Sequence, residues 1–178
     1  MKRISLIIAF FLIFPVTFCT YISPHKHTFE KFVATQVPIL ENDRIYNKSG
    51  SQCGWASLET LARYHQISSL YNITDEQKDY LNFFNVEKVL EEKNVRFAIQ
   101  RRGNKNINFI RKYVTYLKYG VAFGINGTHM LVLCHYDEKK GIVRVINNAG
   151  DHALEIEEWS IEKFNKNWDG FGIALIPN

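Results

Sequence analysis

In the first half of the chain apolar residues recur at helical intervals, and in the second half they gather in short runs broken by turn residues. Trp55, Leu58, Leu61, Ala62 and His65 form one stripe at mostly three- and four-residue spacing. This predicts an amphipathic helix opening near Cys53, with Ser49 or Ser51 near its cap. Thr74-Asp75-Glu76-Gln77 has the form of a capping box, so one broken helix or two short ones are expected through Phe84 and over 86–93. Val95 to Gln100 alternates as a strand does. Ile107, Ile110, Val114 and Leu117 predict a further helix from Asn106 to Tyr119, stopped by Gly120 in the usual C-terminal glycine position.

From Val121 onward the chain is rich in strand signals. "VAFGI" (121–125) runs into Asn126-Gly127, a pair suited to a two-residue hairpin turn, and then into "THMLVLCHY" (128–136). Asp137 to Gly141 makes a second turn and "IVRVIN" (142–147) returns. Next come "ALEI", a short helix from Ser160 with Trp159 before it, and a last strand from Gly170. In the 128–136 run Leu131, Leu133 and His135 share one face and Met130, Val132 and Cys134 the other. Both faces are mostly apolar, which marks a central strand. "QVPIL" (36–40) is expected as an edge strand. Helices first and an antiparallel meander second make an α+β arrangement, in which N-terminal helices pack on a C-terminal antiparallel sheet. No repeat or low-complexity linker divides it, so one domain is expected over 36–178.

The first 19 residues change the picture of where this domain works. Lys2 and Arg3 precede an apolar run from Ile4 to Phe14 and then Pro15, the arrangement of a secretory signal peptide, followed by a lead-in over 20–35. The expected location is secreted, periplasmic or cell-surface, with membrane attachment only if the segment stays uncleaved as a signal anchor. Without Lys2 and Arg3 the formal charge falls from +4 to +2. That balance is too small and too mixed to imply a nucleic-acid partner, and "QRRGNK" (100–105) is expected as a solvated turn. The composition, 46% hydrophobic and 14% aromatic, is that of a packed globular domain, expected to be a monomer.

With Cys19 at or before the cut, two cysteines remain, Cys53 and Cys134. In an oxidising compartment they could pair, giving a disulfide-stapled interaction domain. The placement of Cys53 suggests different chemistry. A thiol at a helix N-terminus, after a glycine- and serine-rich turn, has its pKa lowered by the helix dipole. A thiolate nucleophile needs a base, a group that holds the base in the right tautomer, and donors for the oxyanion. His129 opens a strand after the Asn126-Gly127 turn, and Asn147 ends the strand that returns beside it. His65 is expected to pack on its helix, His135 to trail the strand, and Cys134 to sit in the core, while His152 lies in a loop near Asp151. No histidines or cysteines recur at metal-ligand spacing, and neither a metal nor a cofactor is expected.

Cys53-Gly-Trp-Ala-Ser57, Gly127-Thr-His129 before an apolar strand, and "VRVINN" at 143–148 resemble the sequence blocks of papain-like cysteine peptidases. The nearer likeness is to the compact branch that includes bacteriocin leader peptidases, over residues 36 to 176. The resemblance implies a papain-like fold, a peptide or protein substrate, Cys53 as nucleophile, His129 as general base and acid, and Asn147 as orienter. In these families a glutamine six residues before the cysteine usually donates to the oxyanion. Here Asn47 holds that position, and Gln52 stands next to the nucleophile. The implied activity is an exported thiol hydrolase acting on peptide, isopeptide or amide bonds. The alternative is a catalytically inactive papain-like domain that serves as a secreted binding module.

Overall fold

The computed structural model describes residues 35–150 and 153–178. The segment read as a signal peptide, the lead-in up to residue 34, Asp151 and His152 lie outside the described residues. Helix α1 (Cys53–Tyr64) buries every residue from Cys53 to Ala62, more than one stripe, because it packs against the sheet, the 41–43 turn and helix α2 (Ile73–Glu76). Its N-cap is Gln52, with no side-chain cap. The Gln52 N–H closes a turn on the Ser49 carbonyl at 3.0 Å, and the Ser49 hydroxyl donates to Gln52 Oε1 at 2.9 Å. The serines therefore build the turn, and the first helical N–H groups keep no side-chain partner.

The capping box expected at Thr74 does not form. Asn72, at φ 65°, enters α2 instead, and Thr74 lies inside the helix with its N–H donating to Glu59 Oε2 at 3.1 Å. Glu59 is a buried carboxylate paired with Arg63 at 2.8 Å, so a charged tertiary acceptor takes the place of the local one. Helix α3 (Phe83–Glu92) and strand β1 (Phe97–Gln100) follow. The helix expected over 106–119 begins as α4 (Ile107–Ile110), with Asn106 accepting from Asn108 N–H, and continues as a π-helix over Arg111–Tyr116. It ends where the Tyr119 and Gly120 N–H groups both donate to the Tyr113 carbonyl, with Gly120 at φ +74°.

The remaining elements are β2 (Val121–Ile125), β3 (His129–Asp137), β4 (Ile142–Ile146), β5 (Ile156–Ser160), α5 (Ile161–Asn167) and β6 (Trp168–Leu175). The sheet order is β1-β6-β2-β3-β4-β5, with every neighbouring pair antiparallel. Asn126 and Gly127 both take positive φ, 49° and 73°, as a type I′ hairpin turn requires. Three boundaries differ from the pattern reading. Strand β5 takes in Trp159 and Ser160, because its pairing with β4 runs from Ile146↔Ile156 to Ile142↔Ser160. Strand β6 starts at Trp168, ahead of Gly170. Residues 36–40 make no strand: Val37 donates to the Cys134 carbonyl at 3.0 Å, and Pro38 has no N–H to extend the ladder.

The two faces of the sheet have different neighbours. A Cβ on Gly54 of α1 would stand 3.0 Å from Met130 Sδ, so α1 lies on the Met130 side of β3. Phe123, paired with Leu131, points the other way and meets Phe164 of α5 and Trp159, with ring centroids 5.4 and 6.5 Å apart. This is the α+β layering expected, and β3 is buried from Met130 to Tyr136. No helix among the described residues is long and apolar enough to cross a membrane.

Candidate active site

The N-terminus of α1 and the N-terminus of β3 meet at one end of the sheet. His129 is the first residue of β3, set there by the hairpin turn and paired with Ile125. Asn147 directly follows β4, whose last residue Ile146 pairs with Val132. The β3–β4 hairpin therefore brings the two side chains together, with His129 Nε2 3.1 Å from Asn147 Oδ1. The rotation of the Asn147 amide is fixed by its other partners. Oδ1 also accepts from the Ala149 N–H at 3.2 Å, and Nδ2 donates to Glu157 Oε1 at 3.1 Å. A carboxylate only accepts, so Nδ2 faces Glu157, Oδ1 faces His129, and His129 Nε2 carries a proton. That leaves Nδ1 for the Cys53 thiol, whose interaction with the ring shifts the protonation of both groups.

The two groups change each other's protonation. Burial pushes the Cys53 thiol up, but the His129 hydrogen bond, the Met130 and Gly54 backbone and the charge on His129 together outweigh it. The thiol thus lies below its ordinary range. The Cys53 hydrogen bond raises His129; burial opposes it, and the Asn147 hydrogen bond and the charges of Cys53 and Glu157 add to the rise. A thiol that loses its proton easily beside an imidazole that keeps one is the condition for a thiolate–imidazolium pair.

Of the two expected oxyanion amides, Gln52 is engaged elsewhere. Its Nε2 donates to the Thr74 carbonyl at 2.7 Å and the Gln77 carbonyl at 3.4 Å, pinning the turn before α1 to α2. Asn47 is buried, its backbone N–H donates to the Asn148 carbonyl at 2.7 Å, and its Oδ1 accepts from the Ser49 N–H, leaving Nδ2 as a donor. Asn148 joins the two halves of the site. Its Nδ2 donates to the Cys53 carbonyl and the Ser57 hydroxyl, both at 2.8 Å, and to the Met130 carbonyl at 3.2 Å. The helix that holds the thiol is thereby tied to the strand that holds the ring.

The other candidates lie apart from this cluster. Cys53 and Cys134 are both free thiols, so the structure holds no staple between them. His65 Nε2 lies 2.8 Å from the Tyr119 carbonyl, at the far end of α1. Among the described residues no group of three histidines, cysteines or acidic residues could hold a metal ion. The 100–105 stretch is the solvated turn expected from Arg101 to Lys105, while Gln100 ends β1 buried, with its amide donating to the Gly170 carbonyl, and the exposed Arg102 pairs with Asp169 at 3.0 Å. Arg101 and Arg102 line a cavity of about 510 Å³ that opens beside His129, with Leu81, Met130 and Phe171 as apolar walls. Tyr80 stands at the mouth of this cavity. Its hydroxyl donates to the Thr128 carbonyl and reaches the Cys53 thiol. Tyr80 and Asn148 carry no periodic signal, since each works through partners remote in sequence.

No family model matches the chain, and no curated protein does. Solved structures are similar to it. One is a double glycine motif protease from an AMS/PCAT transporter in complex with the leader peptide, at 18% identity and a TM-score of 0.53 over 75% of this chain and 90% of that one. Another is the peptidase domain of Streptococcus mutans ComA, at 14% identity and a TM-score of 0.52 over 76% of this chain and 99% of that domain. A third, the peptidase domain of Streptococcus ComA described as a bi-functional ABC transporter involved in a quorum sensing pathway, matches at 13% identity and 0.51. At these identities the likeness is one of fold, and the fold this chain shares with the double-glycine peptidase domains is the papain-like α+β arrangement.

Proposed function

We propose that the chain is an exported cysteine peptidase that cleaves after a small residue, with glycine the best fit, in an extended peptide. The observation that carries this reading is the position of His129 between the Cys53 thiol and the Asn147 amide, with thiol and ring shifted in the directions an ion pair needs. The Cys53 thiolate attacks the scissile carbonyl carbon and its π electrons move to the oxygen. The oxyanion is received at the uncapped start of α1, where the Cys53 N–H donates and Asn47 Nδ2 is the candidate side-chain donor. The His129 imidazolium protonates the leaving amine as the C–N bond breaks, leaving a thioester. The neutral ring then takes a proton from water, hydroxide attacks the thioester, and Cys53 is released with the acid product.

Support for a small residue comes from Tyr80 and from a similar protein. The Tyr80 hydroxyl reaches both the thiol and the Thr128 carbonyl, so the scissile carbonyl must enter beside it and little room is left there for a side chain. A glycine meets that constraint with the fewest clashes. A structural neighbour is a double glycine motif protease bound to a leader peptide. Export rests on the N-terminal segment alone. Incubation of the purified chain with synthetic peptides bearing a Gly-Gly pair, followed by mass spectrometry, is expected to show one cut after the second glycine. Cys53→Ala is expected to lower that rate by about 10³-fold or more. Undiminished cleavage by Cys53→Ala would sink the proposal.

A further inference from the structure

Strand β5 is the edge of the sheet next to β4, and its register sets Glu157 opposite Val145, two residues before Asn147. The Glu157 side chain therefore reaches diagonally to the Asn147 amide, where Oε1 accepts from Nδ2 at 3.1 Å. Its other oxygen accepts from Trp159 Nε1 at 2.8 Å. Trp159 is buried, lies edge-on to Phe123, and has Lys163 Nζ 4.1 Å above its ring. Both carboxylate oxygens are thus held by neutral N–H donors, and among the described residues Glu157 takes part in no ion pair. The neighbouring Arg144 pairs with Glu158 instead, at 2.9 Å. A half-buried carboxylate in this setting keeps its negative charge uncancelled one hydrogen bond beyond Asn147.

We propose that Glu157 is a positioning residue for this site, its carboxylate fixing the rotation of the Asn147 amide and lending its charge to the His129 ring through that amide. The proposal rests on the peptidase reading above. An asparagine side chain is nearly symmetric in shape, and turned by half a revolution it would offer an N–H to the N–H of His129 Nε2. The Ala149 N–H resists that turn at one end of the amide and Glu157 resists it at the other. A carboxylate in direct contact with the imidazole would give the same charge. Here the neutral amide touches the ring and the charge stands behind it. The ionisable groups that act on the ring are Cys53 from α1 and Glu157 from β5. Arg102 and Asp169, paired with each other, lie across the β2–β3 turn, Tyr80 lies over the thiol, and Lys163 of α5 sits on the far side of Trp159.

The test compares Glu157→Gln, Glu157→Asp and Trp159→Phe in the full chain, with folding checked by circular dichroism. The pH profile of Cys53 alkylation by iodoacetamide has an alkaline limb, where His129 loses its proton. Removing the Glu157 charge makes that proton easier to lose, so Glu157→Gln is expected to move the limb to lower pH by about half a unit or more. It is also expected to lower kcat for a Gly-Gly peptide by roughly tenfold with little change in KM. Glu157→Asp, which keeps the charge, is expected to restore most of the limb's position. Trp159→Phe removes only the second partner of Glu157 and is expected to leave the limb in place. An unmoved limb in folded Glu157→Gln, or the same displacement in Trp159→Phe, would overturn the positioning role. A wild-type profile in which Cys53 ionises only in the ordinary thiol range would instead overturn the peptidase reading itself.

Discussion

Strand β3 has an imidazole near each end with a thiol beside it, and the two pairs have opposite chemistry. At the start, His129 faces Cys53 across the gap to α1, and both are shifted toward the charged state. Toward the far end, Cys134 and His135 are consecutive and both are shifted toward the neutral state. Burial, against the pull of Arg44 and Arg144, pushes the Cys134 thiol up to about 12, and its proton is donated to the Arg144 carbonyl at 3.3 Å. Burial and the nearby Arg144 charge lower His135, neither of whose buried ring nitrogens has a partner. Solvent exposure does not separate the two thiols, at 1% and 0%, but Cys134 is the more deeply enclosed and burial acts on it the more strongly. The second difference lies in what receives the charge: Cys53 has an imidazole and two backbone groups that favour its thiolate, and Cys134 has a carbonyl, which can only accept.

The largest consequence is kinetic. At about pH 6.5, iodoacetamide is expected to modify Cys53 at least 10²-fold faster than Cys134 in the folded protein, with the two rates converging in denaturant. Peptide mapping by mass spectrometry reads both sites at once, and equal rates in the folded state would erase the contrast. Next in size, Cys134→Ala is expected to cost about 1 to 2 kcal/mol in chemical denaturation, by emptying space in a closed core, while the pH profile of Cys53 stays where it was. A displaced profile would mean that the two ends of β3 are coupled.

The smallest effect separates the histidines. His135 has a lowered folded pKa, so its contribution to stability is present above the unfolded value of about 6.5 and is lost as pH falls through the folded one. His129 is raised, so its contribution is present below about 6.5 and is lost as pH rises through its folded pKa. Denaturation midpoints taken from about pH 7.5 down to 5 should therefore fall less steeply in His135→Leu than in the wild type. Some acid sensitivity should remain, because His65, also lowered by burial, acts with the same sign. An unchanged slope would place the acid-sensitive group elsewhere.

The sequence showed best what depends on spacing along one segment. The stripe on α1, the Asn126-Gly127 turn and the two-sided burial of β3 all follow from local period or local turn preference. From the hairpin alone the pairing of His129 with Asn147 was legible too, since a turn at 137–141 folds one strand back on the other. What escaped was set by partners remote in the chain. Glu59 took the N–H that would have made Thr74 a cap, β4 drew Trp159 into a strand, and Gln52 was pulled toward α2. Asn148, Tyr80 and Glu157 are single polar residues whose roles exist only once three elements have met.

The place of β6 in the sheet sets an order of events during synthesis. His129 and Asn147 belong to one hairpin and can meet early, but β6, residues 168–175, lies between β1 and β2 and also packs against α1. Until those residues emerge, β2 has an open edge and α1 lacks part of its seat. The seat of the helix that carries Cys53 is completed only when β6 pairs, so the final approach of the thiol to the His129 ring is expected to come after the hairpin has formed.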